Sequence, residues 1–206
     1  MGLQGKRVSL RPLTRDDLDA IEAWAPYTDS LYAAWNRFPW HRLGKDLWHE
    51  LEATDQAVER YAIVDDSGRV VGVLGLILDE AQAPLLSIFL GAEYVNRGLG
   101  TDALETLLQH AFTERGFQAV HLDVAASNRR ARHVYEKCGF RVVDARYRPV
   151  EEGESLAFLA EPRYRDLHAC YRRRHGRTYA LYFRMIVRAE DWEARHASCN
   201  PPAPSA

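Results

Sequence analysis

Between Leu99 and Phe140 the apolar positions of the chain change period twice. Leu104, Leu107, Leu108 and Ala111 recur at the spacing of one helix face while Asp102, Glu105 and Gln109 take the other, so a helix starts near Gly98–Gly100 and stops at Gly116. Val120, Leu122 and Val124 then alternate with His121 and Asp123, which predicts a strand over 119–124. Ala131, Val134, Tyr135 and Cys138 return to helical spacing, with Ser127 or Asn128 available as the N-cap and Gly139 as the end. Upstream, strands are expected over 7–13, 60–64, 69–78 and 85–90, and Asp65-Asp66-Ser67-Gly68 marks a hairpin between the second and third of these. Thr14 with Asp17 three residues on predicts a helix start, running to about Trp24. Residues 29–54 should hold two helical segments around Phe38-Pro39-Trp40, and two last strands are expected over 140–148 and 179–187. No internal repeat is evident.

Composition narrows the class. With 206 residues, 47% of them hydrophobic, the chain can bury one substantial core, and no apolar run approaches the 18 or so residues of a membrane span. Residues 1–192 read as one domain and 193–206, rich in Pro and Ala at its end, as a flexible tail. The N-terminus lacks an apolar signal core, so the cytoplasm is the expected location. Cys138, Cys170 and Cys199 are odd in number and widely spaced, which suggests neither a disulfide framework nor a metal site. A formal net charge of -2 lacks the basic excess of a nucleic-acid binder.

Gly98 and Gly100 stand where a loop becomes a helix, and small residues there let backbone N–H groups approach an anion that the helix N-terminus also attracts. A phosphate-bearing ligand follows. No G-K-[ST] occurs, which excludes a Walker loop. Residues 98–103 do satisfy the dinucleotide fingerprint, with Asp123 beyond them, and an NAD-dependent oxidoreductase is a possible reading. That fingerprint requires its first Gly directly after a strand, whereas the strand over 85–90 ends seven residues too early. On the following helix, Asn128 and Tyr135 are seven residues apart, hence on nearly the same face and roughly 10 Å from one another, so both can line one ligand.

These residues resemble the GNAT superfamily of acetyl-CoA-dependent N-acetyltransferases. Its pyrophosphate loop, Q/R-x-x-G-x-G/A, is similar to Val95-Asn96-Arg97-Gly98-Leu99-Gly100, and its second half to Leu122-Asp123-Val124, Asn128, Ala131, Tyr135 and Gly139-Phe140. Val95 departs from the pattern, and the polar side chain expected there is either missing or supplied by Arg97. VSLRPLTRDDLDAI and TYALYFRMIVRAEDW resemble the first and last elements of the ribosomal-protein and polyamine acetyltransferase branch. The resemblance implies an α/β (α+β) fold with a mixed, mostly antiparallel central sheet flanked by helices. It implies acetyl-CoA as co-substrate, held by Ile88, Leu90, Arg97, Gly98, Leu99, Gly100, Thr101, Asn128 and Tyr135, with the backbone of Ile88-Phe89-Leu90 polarising the thioester carbonyl. Tyr135 would protonate the departing thiolate, and the base would be Asp123, Glu93, Asp79, Glu80, His121 or a water chain. A non-catalytic acyl-CoA sensor of the same fold is the alternative.

The family joins its last two strands by a short loop, so 149–177 is read as an insertion, with a helix on which Tyr164, Leu167, His168 and Tyr171 share a face. It covers the acceptor site, pairs subunits in a homodimer, or stands out as a solvated appendage. From Thr14 to Arg60 ten Asp/Glu outnumber five Lys/Arg, and four of the five tryptophans lie there, which suits a wall for an amine cation, with Tyr32, Trp35 and Trp40 as acceptor contacts. Ordinary solvated helix faces and core aromatics would give the same composition. From Glu161 to Arg188 eight Arg face two acidic residues. The acceptor itself is expected to be a small-molecule amine or a protein N-terminus.

Overall fold

The computed structural model describes residues 2–78, 83–151 and 154–197. Its centre is one sheet built from β1 (Leu3–Gln4), β2 (Val8–Pro12), β3 (Val58–Asp65), β4 (Val70–Ile77), β5 (Leu85–Leu90), β6 (Ala119–Ala125), β7 (Arg141–Pro149), β8 (Tyr171–Arg174) and β9 (Arg177–Arg188), in the order β1-β2-β3-β4-β5-β6-β9-β7 with β8 also on β9. All pairings are antiparallel except β5 with β6. That parallel pair touches in register only at Leu85 and His121, and beyond it the two strands part.

Helices α1 (Asp17–Glu22), α2 (Lys45–Thr54), α3 (Leu99–Gln109), α4 (Arg129–Lys137) and α5 (Ala189–Ala197) flank the sheet. The larger core lies between the sheet and α3, where Leu104, Leu107 and Leu108 are fully buried against Leu10, Ile63, Leu74 and Val120. A second, on the opposite face, joins Leu18 and Ile21 of α1 to Trp40, Trp48 and Val73. Removing apolar surface of this size from water is the main stabilising term, at roughly 25 cal/mol per Å².

Several expectations are corrected. The α1 start is held as its sequence suggests, since the Asp17 carboxylate accepts from Thr14 N–H and Oγ1, both at 2.8 Å, but the helix ends two residues short of Trp24. Residues 30–36 and 39–41 are 3₁₀ turns, with a full helix only at α2. α3 continues as a π-turn over His110–Glu114 before Gly116 (φ 67°) turns the chain. The insertion holds two 3₁₀ segments, Ala157–Ala160 and Pro162–Cys170, in place of an α-helix, and Tyr171 opens strand β8. The expected tail begins too early, because α5 runs to Ala197 with Trp192 buried against Phe112.

Candidate active site

The divergence of β5 from β6 opens a cleft of about 510 Å³ whose walls come from both strands, the start of α3, α4, the 3₁₀ turn at 30–36 and the insertion. Gly98 (φ 79°) and Asn96 (φ 60°) carry the left-handed backbone that folds the loop back onto α3. A Cβ on Gly98 would also come within 2.9 Å of the Arg7 guanidinium. The N–H groups from Gly98 to Thr101 have no intrahelical acceptors, and Gly100 and Thr101 line the cleft, so the loop presents donors and the positive end of the helix dipole. Gly100 keeps this surface low, since a Cβ there would sit 3.2 Å from Leu90 Cδ1. These groups fit the pyrophosphate of acetyl-CoA.

Leu99 contributes only backbone, its side chain being core. The Arg97 guanidinium lies over the Tyr94 ring, 5.9 Å from the centroid, and its carbonyl accepts from Arg7. Val95 itself lines the cleft.

Successive strand residues direct their peptide groups to opposite edges. Gly91 N–H bonds to Val71 O, toward β4, whereas Leu90 O accepts from Tyr27 Oη at 2.8 Å and Pro84 O accepts from His121 N–H, both away from β4. By the same alternation the N–H groups of Ile88 and Leu90 face the opening beside β6, and both residues line it.

On α4, Asn128 is the N-cap, its Oδ1 accepting from Ala131 N–H at 3.1 Å, and Tyr135 lies two turns on at 8% exposure. Both line the cleft. Burial, with a smaller contribution from Cys138, pushes the Tyr135 phenol well above its usual range, so it is protonated at any physiological pH.

The expected bases fare differently. Asp123 lines the cleft but is held by Arg184 (3.0 Å) and Arg148. Burial alone would raise its pKa, yet the hydrogen bonds from the two arginines outweigh it and hold the carboxyl at about 2, which makes Asp123 a structural anion and a poor proton acceptor. Glu93 is outside the cleft lining, with Oε1 accepting from Ala25 N–H at 3.2 Å. His121 is on β6 at the one point where that strand still pairs with β5, away from the opening. Asp79 and Glu80 lie outside the described residues.

The acceptor contacts also divide. Trp35 is 44% exposed and Tyr32 lines the cleft, but the Tyr32 ring already carries the Arg130 guanidinium at 4.0 Å. Trp40 is 2% exposed, stacked on Phe38 at 4.8 Å with its indole N–H on Glu22, and belongs to the core beneath. The acidic residues of α1 do not form a free anionic wall either: Asp17, Asp19 and Glu22 are paired with Arg11, Arg15 and Lys45. Besides Asp123, the cleft carboxylates are Glu151 and Glu154 at the start of the insertion, which the charge counts over 14–60 and 161–188 did not cover. Phe158 and Tyr182 were missed because no local motif surrounds them, and Tyr171, expected on an insertion helix, lines the cleft from β8.

Among the described residues no helix is long and apolar enough to cross a membrane, and no group of His, Cys, Asp and Glu could hold a metal ion. The dinucleotide reading fails on local geometry, since the 3₁₀ turn Ala92–Tyr94 separates β5 from Gly98.

Residues 7–141 match the family model of the acetyltransferase (GNAT) domain. The chain is 25% identical to the spermidine N(1)-acetyltransferase of Vibrio cholerae over 170 residues, covering 80% of this chain and 92% of that one. It is 32% identical over 118 residues to the ribosomal protein bS18-alanine N-acetyltransferase of Salmonella typhimurium, covering 54% and 78%. A spermidine N-acetyltransferase of Vibrio cholerae solved with CoA and spermine shares the fold, with a TM-score of 0.65 at 20% identity over 90% of this chain and 98% of that one. The chain therefore belongs to the GNAT acetyltransferase family and is an acetyl-CoA-dependent N-acetyltransferase.

Proposed function

We propose that the acceptor is a cationic primary amine drawn to Glu151 and Glu154, and that Tyr135 is the acid of the reaction. The observation that carries this reading is the meeting, in one cleft, of a protonated phenol, the α3 N-terminus, the free β5 edge and two carboxylates without ion-pair partners among the described residues. Burial first, and the charge of Glu151 next, push the Glu154 carboxyl up. It therefore favours a nearby ammonium and can take up a proton as the amine sheds one.

The acetyl thioester, when bound, supplies the electrophile. Ile88 and Leu90 N–H groups donate to its carbonyl oxygen as negative charge grows there, and such donors act strongly in a site shielded from water. Asn128 positions the start of α4 against the thioester arm. Tyr135 gives its phenolic proton to the sulfur as the C–S bond breaks, and the proton leaving the acetylated nitrogen restores the phenol. Asp123 stays ionised throughout and keeps Arg148 and Arg184 in place.

An amine panel with detection of released thiol tests the reading. 1,4-Diaminobutane should give a kcat/KM at least tenfold above that of 4-aminobutanoate, which has the same amine and an anionic far end. Preference for the anionic amine would overturn the assignment of Glu151 and Glu154.

A further inference from the structure

We infer that the insertion over 154–170 is a strap roofing the acceptor end of the cleft, and that its latch on Asp29 and Ser30 restricts acceptors to small amines at the expense of polypeptide N-termini. The inference rests on the acetyltransferase reading of the cleft. Its own evidence is the set of contacts that carry the strap from one wall to the other.

On the N-terminal wall, the Tyr164 hydroxyl donates to the Asp29 carboxylate, 2.7 Å from Oδ1, Arg163 stands 3.5 Å from the same oxygen, and Ser30 Oγ donates to Glu161. Asp29 is itself fixed, because Oδ1 accepts from Leu31 N–H at 3.0 Å and so caps the turn Ser30–Asn36. On the opposite wall Asp166 pairs with Arg129, the first residue of α4, and Tyr171 Oη lies 2.9 Å from Ser127 Oγ just before the Asn128 cap. A segment anchored on both sides crosses the opening between them.

The strap has its own small core. Phe158 and Leu167 are 3% and 2% exposed, and Tyr164 and Tyr171 meet the Phe158 ring edge-on at 5.9 and 5.7 Å. Residues that share such a core open or close together, so the latch contacts govern the whole roof. Glu154 and Phe158 line the cleft beneath it. A polypeptide N-terminus needs an open groove for the residues behind the amine, and the roof lies in that path; a short amine needs none. The GNAT family match ends at residue 141, before the strap begins.

The test uses the full chain and the small amine that turns over fastest in the panel, either free or linked through its far end to a hexapeptide. Wild-type protein should favour the free amine by about 100-fold in kcat/KM. Tyr164→Phe, which keeps the ring on Phe158 and removes only the hydroxyl, and Asp29→Asn with it, should shrink that preference tenfold or more through faster turnover of the linked amine, with acetyl-CoA KM unchanged. Equal use of both amines by wild type, or an unchanged preference in a double variant whose circular dichroism matches wild type, would overturn the strap. Loss of turnover with every amine would instead count against the placement of Tyr135 and the cleft carboxylates, and the two failures are distinct.

Discussion

Asp123 on β6 and Arg184 on β9 are register partners in an antiparallel pair, and Arg184 Nε lies 3.0 Å from Asp123 Oδ1. With Arg148 from β7 on the same carboxylate, one half-buried anion ties together three strands, β6, β7 and β9. Its carboxyl stays near 2 in the folded protein against about 3.9 in an unfolded chain. The folded value is the lower one, so the stabilisation is present above about pH 4 and is lost as pH falls through 2, amounting to about 2 kcal/mol when complete. Asp123→Asn should lower the urea midpoint at pH 7, and the gap from wild type should close at about pH 2. A gap independent of pH would mean that the ion pairs contribute nothing.

Tyr135→Phe removes one hydroxyl and leaves the ring against Phe140, 5.9 Å away. Turnover should fall by about 10²-fold, the usual scale of general-acid assistance, while acetyl-CoA affinity and thermal midpoint stay near wild type. Full activity would show that water protonates the thiolate.

Gly100→Val places branched carbons where a single Cβ already meets Leu90 Cδ1 at 3.2 Å, at the mouth of the anion loop. Acetyl-CoA affinity measured by calorimetry should weaken by roughly 2 kcal/mol through lost backbone approach. Unchanged affinity would place the pyrophosphate elsewhere.

Trp35→Ala and Trp40→Ala should separate cleanly. Trp35 is exposed at the cleft, so its loss should raise acceptor KM with acetyl-CoA KM unaltered. Trp40 is buried in the smaller core, and truncation there should cost about 3 to 5 kcal/mol in unfolding free energy with acceptor KM near wild type in the folded fraction. A reversed outcome would mean that the acceptor wall is the Trp40 side.

Glu154→Gln removes charge with little change of shape. Acceptor KM for a diamine should rise about tenfold, that for a neutral monoamine much less, and acetyl-CoA KM not at all. Equal effects on both amines would assign Glu154 a packing role.

The glycine loop before α3 and the α4 positions are specified locally. Helix period, a glycine with positive φ, an N-cap and a helical seven-residue spacing each act within a few residues, so Gly98–Thr101, Asn128 and Tyr135 could be read from the chain, and Gly98, Gly100, Thr101, Asn128 and Tyr135 line one cleft. Strand β5 was expected at its observed bounds for the same reason. The acceptor half is different. Whether an acidic residue is a free ligand or half of an ion pair depends on partners such as Arg184, 61 positions from Asp123, or Tyr164, 135 positions from Asp29. Composition between Thr14 and Arg60 therefore pointed to an anionic wall although Asp17, Asp19 and Glu22 of α1 are in fact paired with Arg11, Arg15 and Lys45, and it could not distinguish exposed Trp35 from buried Trp40. Sequence by itself determined the main helix and strand spans and the glycine loop before α3, because short-range geometry specifies them, and its resemblance to the family pointed to the fold; only the tertiary structure decided which carboxylates line the cleft and which are paired away, because burial and charge pairing are set by residues far apart in the chain.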